Sequence, residues 1–420
     1  MSNALQLSAL CNRQNVPVLE QPQLIYVLAE VTPGSTIANV RLPLNFTLVL
    51  DRSGSMAGEK LETMREAVKA IIDQLSPSDV ISIVTFENKT QVLVPAQSAA
   101  DRAGLKGMVD NIKDGGGTVM APAIREGLNQ VSQFASPAYI SRIVLLTDGE
   151  ATDKFEASMH EADNAGARGI PIIGMGFGSD WKEDFLQEVA DRSWLSSPGS
   201  DAGRVEFIRD PGSALQVFQE VLQSMHVVAQ DVTVNVRMVQ GLEARRVWQV
   251  VPLIKEMGTT AIQGRSVVIP VGDLEQGGAA YMVEMMLPPR PAGNVRIAQV
   301  DAAYNLPQSG PQREAVDLVI NFTHDASLAG QLNGHVMNIV EKVTAFRLQT
   351  QALRDAEMGN VSGATQRLRQ AVTMLINQGE HDLAQQMEAE ARNLEEGKGI
   401  SGDGAKTIRL TSRKTVRLDD

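Results

Sequence analysis

The feature that most constrains the fold of this chain is a polar turn, Asp51–Ser55 (DRSGS), which directly follows the apolar run Phe46–Leu50. A nearly continuous apolar run is typical of a strand buried on both faces of a parallel sheet. The turn presents the carboxylate of Asp51 and the hydroxyls of Ser53 and Ser55 at alternate positions. Oxygen-only ligands suit hard divalent cations such as Mg²⁺, Ca²⁺ and Mn²⁺. The turn therefore predicts a metal site at the end of a buried strand.

Two later segments offer matching groups. The glycine-rich stretch Gly115–Thr118 ends in another hydroxyl, and Ile143–Gly149 is a second apolar strand that ends in an aspartate, Asp148. In an open α/β sheet, ligands bind outside the carboxyl ends of the strands. Because Asp51 and Asp148 both lie at such ends, we expect them to share one site.

In this order the three segments closely resemble the von Willebrand factor A (VWA) domain and its metal-ion-dependent adhesion site (MIDAS). That pattern is Asp-x-Ser-x-Ser, then a distant Thr, then an Asp after a buried strand. Its five positions match Asp51, Ser53, Ser55, Thr118 and Asp148. The resemblance implies that the three hydroxyls bind the metal directly and that the aspartates act largely through water. It also implies that a partner's Asp or Glu occupies the open position on Mg²⁺, with Mn²⁺ and Ca²⁺ as alternatives.

The alternative interpretation is a polar turn in an ordinary doubly wound domain, which does not explain five oxygen ligands. Common enzyme signatures are missing from the sequence. The histidines show no His-x-x-x-His spacing, Cys11 is the only cysteine, and there is no Gly-x-Ser-x-Gly or Walker motif. We therefore predict no catalytic residues and no organic cofactor.

Composition restricts the partners and the compartment. The net charge of −12, from 38 basic and 50 acidic residues, argues against nucleic acid or an anionic membrane as a partner. No apolar run approaches the ~20 residues of a membrane helix, and no secretory signal is apparent. One cysteine without a disulfide set fits a reducing compartment. We expect a cytoplasmic protein of the bacterial intracellular type.

At 420 residues the chain should contain two or three domains. Residues 44–228 alternate strands and amphipathic helices, which predicts a doubly wound, mostly parallel VWA domain. The expected strands are Phe46–Leu50, Val80–Phe86, Ile140–Thr147 and Ile170–Met175.

The sequence period changes after this domain. Residues 229–325 alternate polar and apolar positions between turn signals, which predicts an antiparallel β-sandwich. The early strand Leu24–Val31, within residues 18–43, has no place in the α/β sheet, so we expect it to complete the sandwich. The VWA domain would then be inserted in the sandwich, similar to the arrangement in the integrin β-subunit. Residues 1–17 are predicted to be flexible.

Residues 326–396 are predicted to be helical, with helices at Leu328–Met358, Val361–Asn377 and His381–Leu394. The last pair resembles a single tetratricopeptide unit. Residues 397–420 are predicted to form a flexible, glycine-rich tail in which KTIRL (406–410) recurs as KTVRL (414–418). The repeat fits a short strand or hairpin, or a duplicated motif with Thr407 and Thr415 as phospho-acceptors.

These observations predict a non-enzymatic module that binds a partner's acidic side chain through a divalent metal. The tail motif favours an intracellular signalling or assembly complex with a Ser/Thr kinase, a phosphatase or a phosphothreonine-reading domain. The alternative is an accessory subunit of an AAA+ ATPase, chelatase-like or MoxR-like. A third interpretation, extracellular adhesion, would require a signal sequence.

Overall fold

The structure is a computed structural model that describes residues 4–35, 42–149, 151–178, 180–194, 203–306 and 310–414. The chain divides into two compact units. One is Arg41–Val227, and the other joins Met1–Val40 to Val228–Asp420. The second unit therefore contains both ends of the sequence.

The inserted unit alternates strands and helices. They are β4 (Leu44–Asp51), α1 (Glu59–Gln74), β5 (Val80–Phe86), β6 (Thr90–Ser98), α2 (Arg102–Val109), α3 (Ala121–Ser132), β7 (Ile140–Thr147), α4 (Phe155–Ala167), β8 (Ile172–Phe177), α5 (Glu183–Ser193), β9 (Val205–Ile208) and α6 (Pro211–Ser224). β1 to β3 precede this unit in the chain and belong to the other one.

The strands form one mixed sheet in the order β6-β5-β4-β7-β8-β9. β4 is central and parallel to β5 and β7; β8 and β9 continue the parallel arrangement, and β6 is antiparallel to β5. Every residue of β4, β5 and β7 is buried, as their apolar runs predict. The carboxyl ends of β4 and β7 therefore lie side by side at one edge of the sheet.

The edge strands β6 and β9 are absent from the predicted set. β6 is only partly buried and contains Pro95, which a sheet tolerates at its edge. β9 has four residues, too few for a clear period. Short or half-exposed edge strands do not carry the continuous apolar signal of central ones.

The other unit is a two-sheet sandwich. Its strands are β1 (Leu5–Cys11), β2 (Asn15–Pro17), β3 (Gln23–Pro33), β10 (Val227–Met238), β11 (Glu243–Val251), β12 (Lys255–Glu256), β13 (Ile262–Gln263), β14 (Ser266–Glu275), β15 (Ala279–Leu287), β16 (Gly293–Leu306) and β17 (Gly310–Thr323). The sheet orders are β1-β3-β15-β11-β12 and β13-β14-β10-β16-β17-β2.

β3 pairs antiparallel with both β1 and β15, so the early strand does belong to the sandwich. The predicted fold class, an α/β domain inserted in an antiparallel β-sandwich, is confirmed. One pair departs from the pattern, because β2 runs parallel to β17.

The expectation that residues 1–17 are flexible is wrong for the part that the structure describes. β1 pairs with β3 along its full length, and Leu5 and Cys11 are buried in the sandwich core. β2 adds Val16 to the same core. Each segment is stabilised by a partner distant in sequence, which its own short pattern does not reveal.

The helical region follows the sandwich strands in the sequence and has a hydrophobic core. Its elements are α7 (Ala326–Ala329), α8 (Gly334–Glu357), α9 (Val361–Asn377), α10 (His381–Glu395) and α11 (Gly402–Lys406). The helix predicted at Leu328–Met358 is interrupted after α7. The side chain of Asn333 then accepts a hydrogen bond from Val336 N and caps the start of α8. None of the described helices is long and apolar enough to cross a membrane.

The prediction of a flexible tail is wrong as far as Lys414. After α11, a π-helical turn spans Thr407–Thr411 and a 3₁₀ turn spans Ser412–Lys414. Ile408 is fully buried among the helices, and the backbone N–H of Ile254 donates to the carbonyl of Arg413 at 2.7 Å. The first copy of the repeat is thus an anchored segment; residues 415–418 of the second copy lie outside the described residues.

Candidate metal centre

Asp51 ends the central strand β4, and its side chain is fully buried. Oδ1 accepts from the backbone N–H of Ser53 at 2.8 Å, and Oδ2 accepts from the hydroxyl of Thr147 at 2.6 Å. Burial raises the pKa of the Asp51 carboxyl; the hydrogen bonds lower it, and the negative charge of Asp148 adds to the rise. A cation close to Asp51 would favour its charged form.

The two serines of the turn connect the two aspartates. Ser53 Oγ lies 3.1 Å from Ser55 Oγ, and the Ser55 hydroxyl donates to Oδ1 of Asp148 at 2.7 Å. Ser53 is buried, whereas Ser55 is exposed on the 3₁₀ turn that follows β4. A path of hydroxyl and carboxyl groups therefore runs from the end of β4 to the end of β7 and opens to solvent at Ser55.

Thr118 reaches the same place from the glycine-rich loop. A Cβ built on Gly149 would lie 3.7 Å from Ser55 Oγ and 3.9 Å from Thr118 Oγ1. The loop is tied to the turn, because Gly54 N–H donates to the carbonyl of Gly116 at 2.9 Å. The structure thus brings the hydroxyls of Thr118 and Ser55 close to Gly149, where a larger side chain would begin in contact with both.

Asp148 follows β7 and is as buried as Asp51, but its partners differ. Oδ1 accepts from Ser55, and Oδ2 lies 2.5 Å from the ammonium Nζ of Lys60, in the first turn of α1. One aspartate of the centre is therefore bound by neutral donors and the other by a neutral donor and a cation.

The donor set fits a hard divalent cation. It combines buried carboxylates with hydroxyls, all of them oxygen ligands. Over the described ranges, no group of three or more His, Cys, Asp or Glu is placed to hold a metal. Among these residues, the nitrogen and sulfur ligands of a typical zinc site are not found.

Sequence patterns did not single out two residues that contact the aspartates of this centre. Thr147 donates to Asp51, and Lys60 forms an ion pair with Asp148. Asp153, an acid of the loop after β7, binds the start of α3: its carboxylate accepts from Met120 N at 3.2 Å and from Ala121 N at 2.7 Å. Thr147 precedes Asp148 in the sequence, which is a usable signal, but Lys60 is brought in by tertiary packing.

The tail threonines lie apart from these residues in the sequence. Thr407 is 1% exposed, so a kinase could not reach its hydroxyl in this conformation. The hypothesis of phosphorylation at Thr407 is therefore not supported by its burial. Thr415 lies outside the described residues.

The doubly wound sheet, with oxygen donors at the carboxyl ends of its central strands, has the arrangement predicted for one class of domain. Residues 45–220 match the model of the von Willebrand factor type A domain, and residues 334–418 match that of the Sll0103-like, C-terminal alpha-helical domain. The chain therefore contains a VWA domain, and the predicted resemblance to that domain is confirmed. VWA domains are generally non-enzymatic modules of protein interaction.

Over most of its length the chain is similar to the protein sll0103 of Synechocystis sp. The two are 25% identical over 387 residues, which cover 90% of this chain and 89% of that protein. Inter-alpha-trypsin inhibitor heavy chain H4 of Homo sapiens is 31% identical over 196 residues, 43% of this chain but 20% of that protein. The likeness to the second protein is therefore confined to a fifth of its length.

Two solved structures share the architecture. The von Willebrand factor type A protein from Catenulispora acidiphila has a TM-score of 0.71 and 21% identity, covering 99% of this chain and 98% of that one. The ArnB paralog VWA2 from Sulfolobus acidocaldarius has a TM-score of 0.54 and 19% identity, covering 99% and 100%. At these identities the likeness shows the fold alone.

Proposed function

We propose that the VWA domain binds a divalent cation at a complete MIDAS and, through it, an Asp or Glu side chain of a partner protein. Mg²⁺ is the expected cation, with Mn²⁺ and Ca²⁺ as alternatives. When bound, such a cation supplies an electrophilic position for an external carboxylate. The residues that would hold it are Asp51, Ser53, Ser55, Thr118 and Asp148.

The observation that carries this proposal is the path of oxygen groups between Asp51 and Asp148. The path is buried at both carboxylates and exposed at Ser55. Buried acids retain their charge most readily beside a cation, and the exposed end leaves access for a second molecule. Capture of a carboxylate needs no proton transfer, so we propose a non-enzymatic role.

We extend the proposal to a cytoplasmic assembly in a bacterial cell, because the single cysteine, Cys11, is buried and the sequence offers no disulfide framework. A kinase, phosphatase or phosphothreonine reader was favoured by the tail threonines. The burial of Thr407 removes part of that support. The experiment below is therefore designed to identify the partner, and an AAA+ ATPase is the alternative that it can detect.

The test has a binding step and a capture step. Calorimetry with Mg²⁺ compares the wild type, Asp51→Ala and the control Asp73→Ala, which removes an exposed acid of α1 paired with Lys106. Affinity capture from the source cell's lysate then uses the same proteins in Mg²⁺ and in EDTA, with mass spectrometry to identify what is retained.

We expect Asp51→Ala to lose both Mg²⁺ and the partner, and Asp73→Ala to keep both. A partner retained by Asp51→Ala in EDTA would show that the partner binds at a surface other than the metal centre. Mg²⁺ binding of equal strength in all three proteins would reject the centre itself.

A further inference from the structure

The ammonium of Lys60 lies inside the proposed metal centre. Its Nζ is 2.5 Å from Oδ2 of Asp148, whose side chain is fully buried, while the Lys60 side chain is 28% exposed. Asp148 is one of the residues proposed to hold the divalent cation. The protein therefore places a cation of its own on a carboxylate that a metal would share.

The position of Lys60 is not explained by its helix. It lies in the first turn of α1 together with Glu59 and Glu62. The N-terminus of a helix favours negative side chains, as those two provide, and disfavours a lysine. The contact that offsets this cost is the one with Asp148.

The ammonium also lies close to the end of the neighbouring strand. Gly178 follows β8 with a φ of +71°, and a Cβ at that position would lie 3.7 Å from Lys60 Nζ. The side chain of Lys60 thus extends from α1 to the place where β7 and β8 end.

The charges around the centre do not cancel. Asp51 and Asp148 supply two negative charges, and Lys60 supplies one positive charge. At the rim, Arg52 and Glu87 form an ion pair with each other at 3.4 Å, so they contribute little net charge. Lys60 therefore raises the net charge of the centre by one unit, with or without a divalent cation bound.

We propose that Lys60 sets the charge balance of this centre, so that it weakens binding of the divalent cation and strengthens capture of an acidic side chain. The first effect follows from repulsion between two cations that share Asp148. The second follows from attraction between the positive charge of Lys60 and the incoming carboxylate. This inference rests on the proposed function and assigns a specificity-determining residue to the same site.

The experiment replaces Lys60 and measures both steps separately. Lys60→Met removes the charge and keeps the length, and Lys60→Gln keeps an N–H donor for Asp148 if the first variant folds poorly. The matched control is Lys69→Met. Lys69 also lies on α1, and this substitution breaks its ion pairs with Glu66 and Asp110. Mg²⁺ is titrated by calorimetry; acetate is then titrated into the Mg²⁺-saturated proteins and followed by NMR.

We expect both Lys60 variants to bind Mg²⁺ about tenfold more tightly and acetate about threefold to tenfold more weakly, because a unit charge a few Å away is removed. Lys69→Met should match the wild type in both titrations. Opposite changes distinguish a charge effect from loose folding, which would weaken both.

Unchanged Mg²⁺ affinity in both Lys60 variants would overturn this inference and leave the metal centre intact. Changes in the same direction for Mg²⁺ and acetate would also overturn it. Absence of Mg²⁺ binding in the wild type and all variants would overturn the proposed function and this inference together. Mg²⁺ binding only after removal of Lys60 would overturn the proposed function and with it this inference, because the wild type would then hold no cation for a partner's carboxylate.

Discussion

Asp301 of the sandwich and Asp51 of the VWA domain are both buried, but their partners are of opposite kinds. In the sandwich, Asp301 lies in the middle of β16 and is 1% exposed. Its carboxylate contacts the guanidinium groups of Arg237 at 2.5 Å and Arg313 at 3.0 Å, and Asn235 donates to it at 3.3 Å. In the VWA domain, Asp51 is equally buried but is bound by a hydroxyl and a backbone N–H.

The register of the sandwich dictates the Asp301 cluster. Asp301 pairs with Asn235 of β10 and with Ala315 of β17. Arg237 and Arg313 each lie two residues along those strands, on the same face, where long side chains reach a diagonal neighbour. Asp301, within a strand, is thus neutralised by its own sheet, whereas Asp51, at the end of a strand, has no cation among its hydrogen-bond partners.

This contrast teaches that burial alone does not identify a functional carboxylate. The charge of their partners distinguishes Asp301 from Asp51. Asp301 has two permanent cations and needs no other group; Asp51 has neutral partners and a charged neighbour of the same sign. The following predictions test whether the two aspartates differ in this way.

The largest expected effect is on metal binding. Asp51→Asn should weaken Mg²⁺ binding at least about 100-fold, or roughly 3 kcal/mol, because it removes a charge that the cation needs. Calorimetry measures the affinity, with Asp301→Asn as the matched control that should bind as the wild type does. An equal loss of Mg²⁺ affinity in the two variants would show that Asp51 and Asp301 do not differ in their role in metal binding.

The second effect concerns stability. Asp301→Ala should lower the free energy of unfolding by about 2 kcal/mol, because it leaves two arginines on one sheet face without their acid. Both guanidinium groups are about half exposed, which limits the cost. Denaturant unfolding in EDTA measures it; Asp51→Asn should stay close to the wild type. A stable Asp301→Ala protein would show that the cluster is not structural.

A smaller effect should follow from the neutral donors of Asp51. Thr147→Val removes the hydroxyl 2.6 Å from Oδ2 and should cost about 1 kcal/mol in the metal-free protein. Excess Mg²⁺ should recover part of this loss, because a cation would replace the missing donor. Unfolding with and without Mg²⁺ tests it, and an equal loss in both conditions would contradict the role given to Thr147.

How much the sequence predicts depends on how local each feature is. β5 and β7 have the predicted bounds because their apolar runs are continuous. The metal ligands were predicted from their places at strand ends and in a glycine-rich loop; their binding of a metal stays a prediction. Lys60 was missed because its partner, Asp148, is distant in sequence. Ile408 was missed because the glycines around it suggested a flexible tail, while burial among the helices holds it.

The smallest expected effect is a pH dependence. Burial raises the pKa of Asp51 above its ordinary value of 3.8, so the metal-free folded protein holds this proton to higher pH than the unfolded chain. The stability that the proton supplies is fully present below that value and is lost as pH rises through the folded pKa. Relative to Asp51→Asn, the wild type in EDTA should therefore become less stable over this window. Carboxyls whose pKa is lowered, such as Asp325, act with the opposite sign in both proteins and cancel in the difference.

Denaturant unfolding of the two proteins between about pH 4 and pH 7 measures that difference. Mg²⁺ should reverse its sign, because the cation binds the charged carboxylate and competes with the proton. Asp301→Asn should show no such reversal, since arginines already neutralise that acid. A pH dependence of Asp51 that Mg²⁺ leaves unchanged would mean that the strand-end aspartate is as closed to ligands as the one in the sandwich.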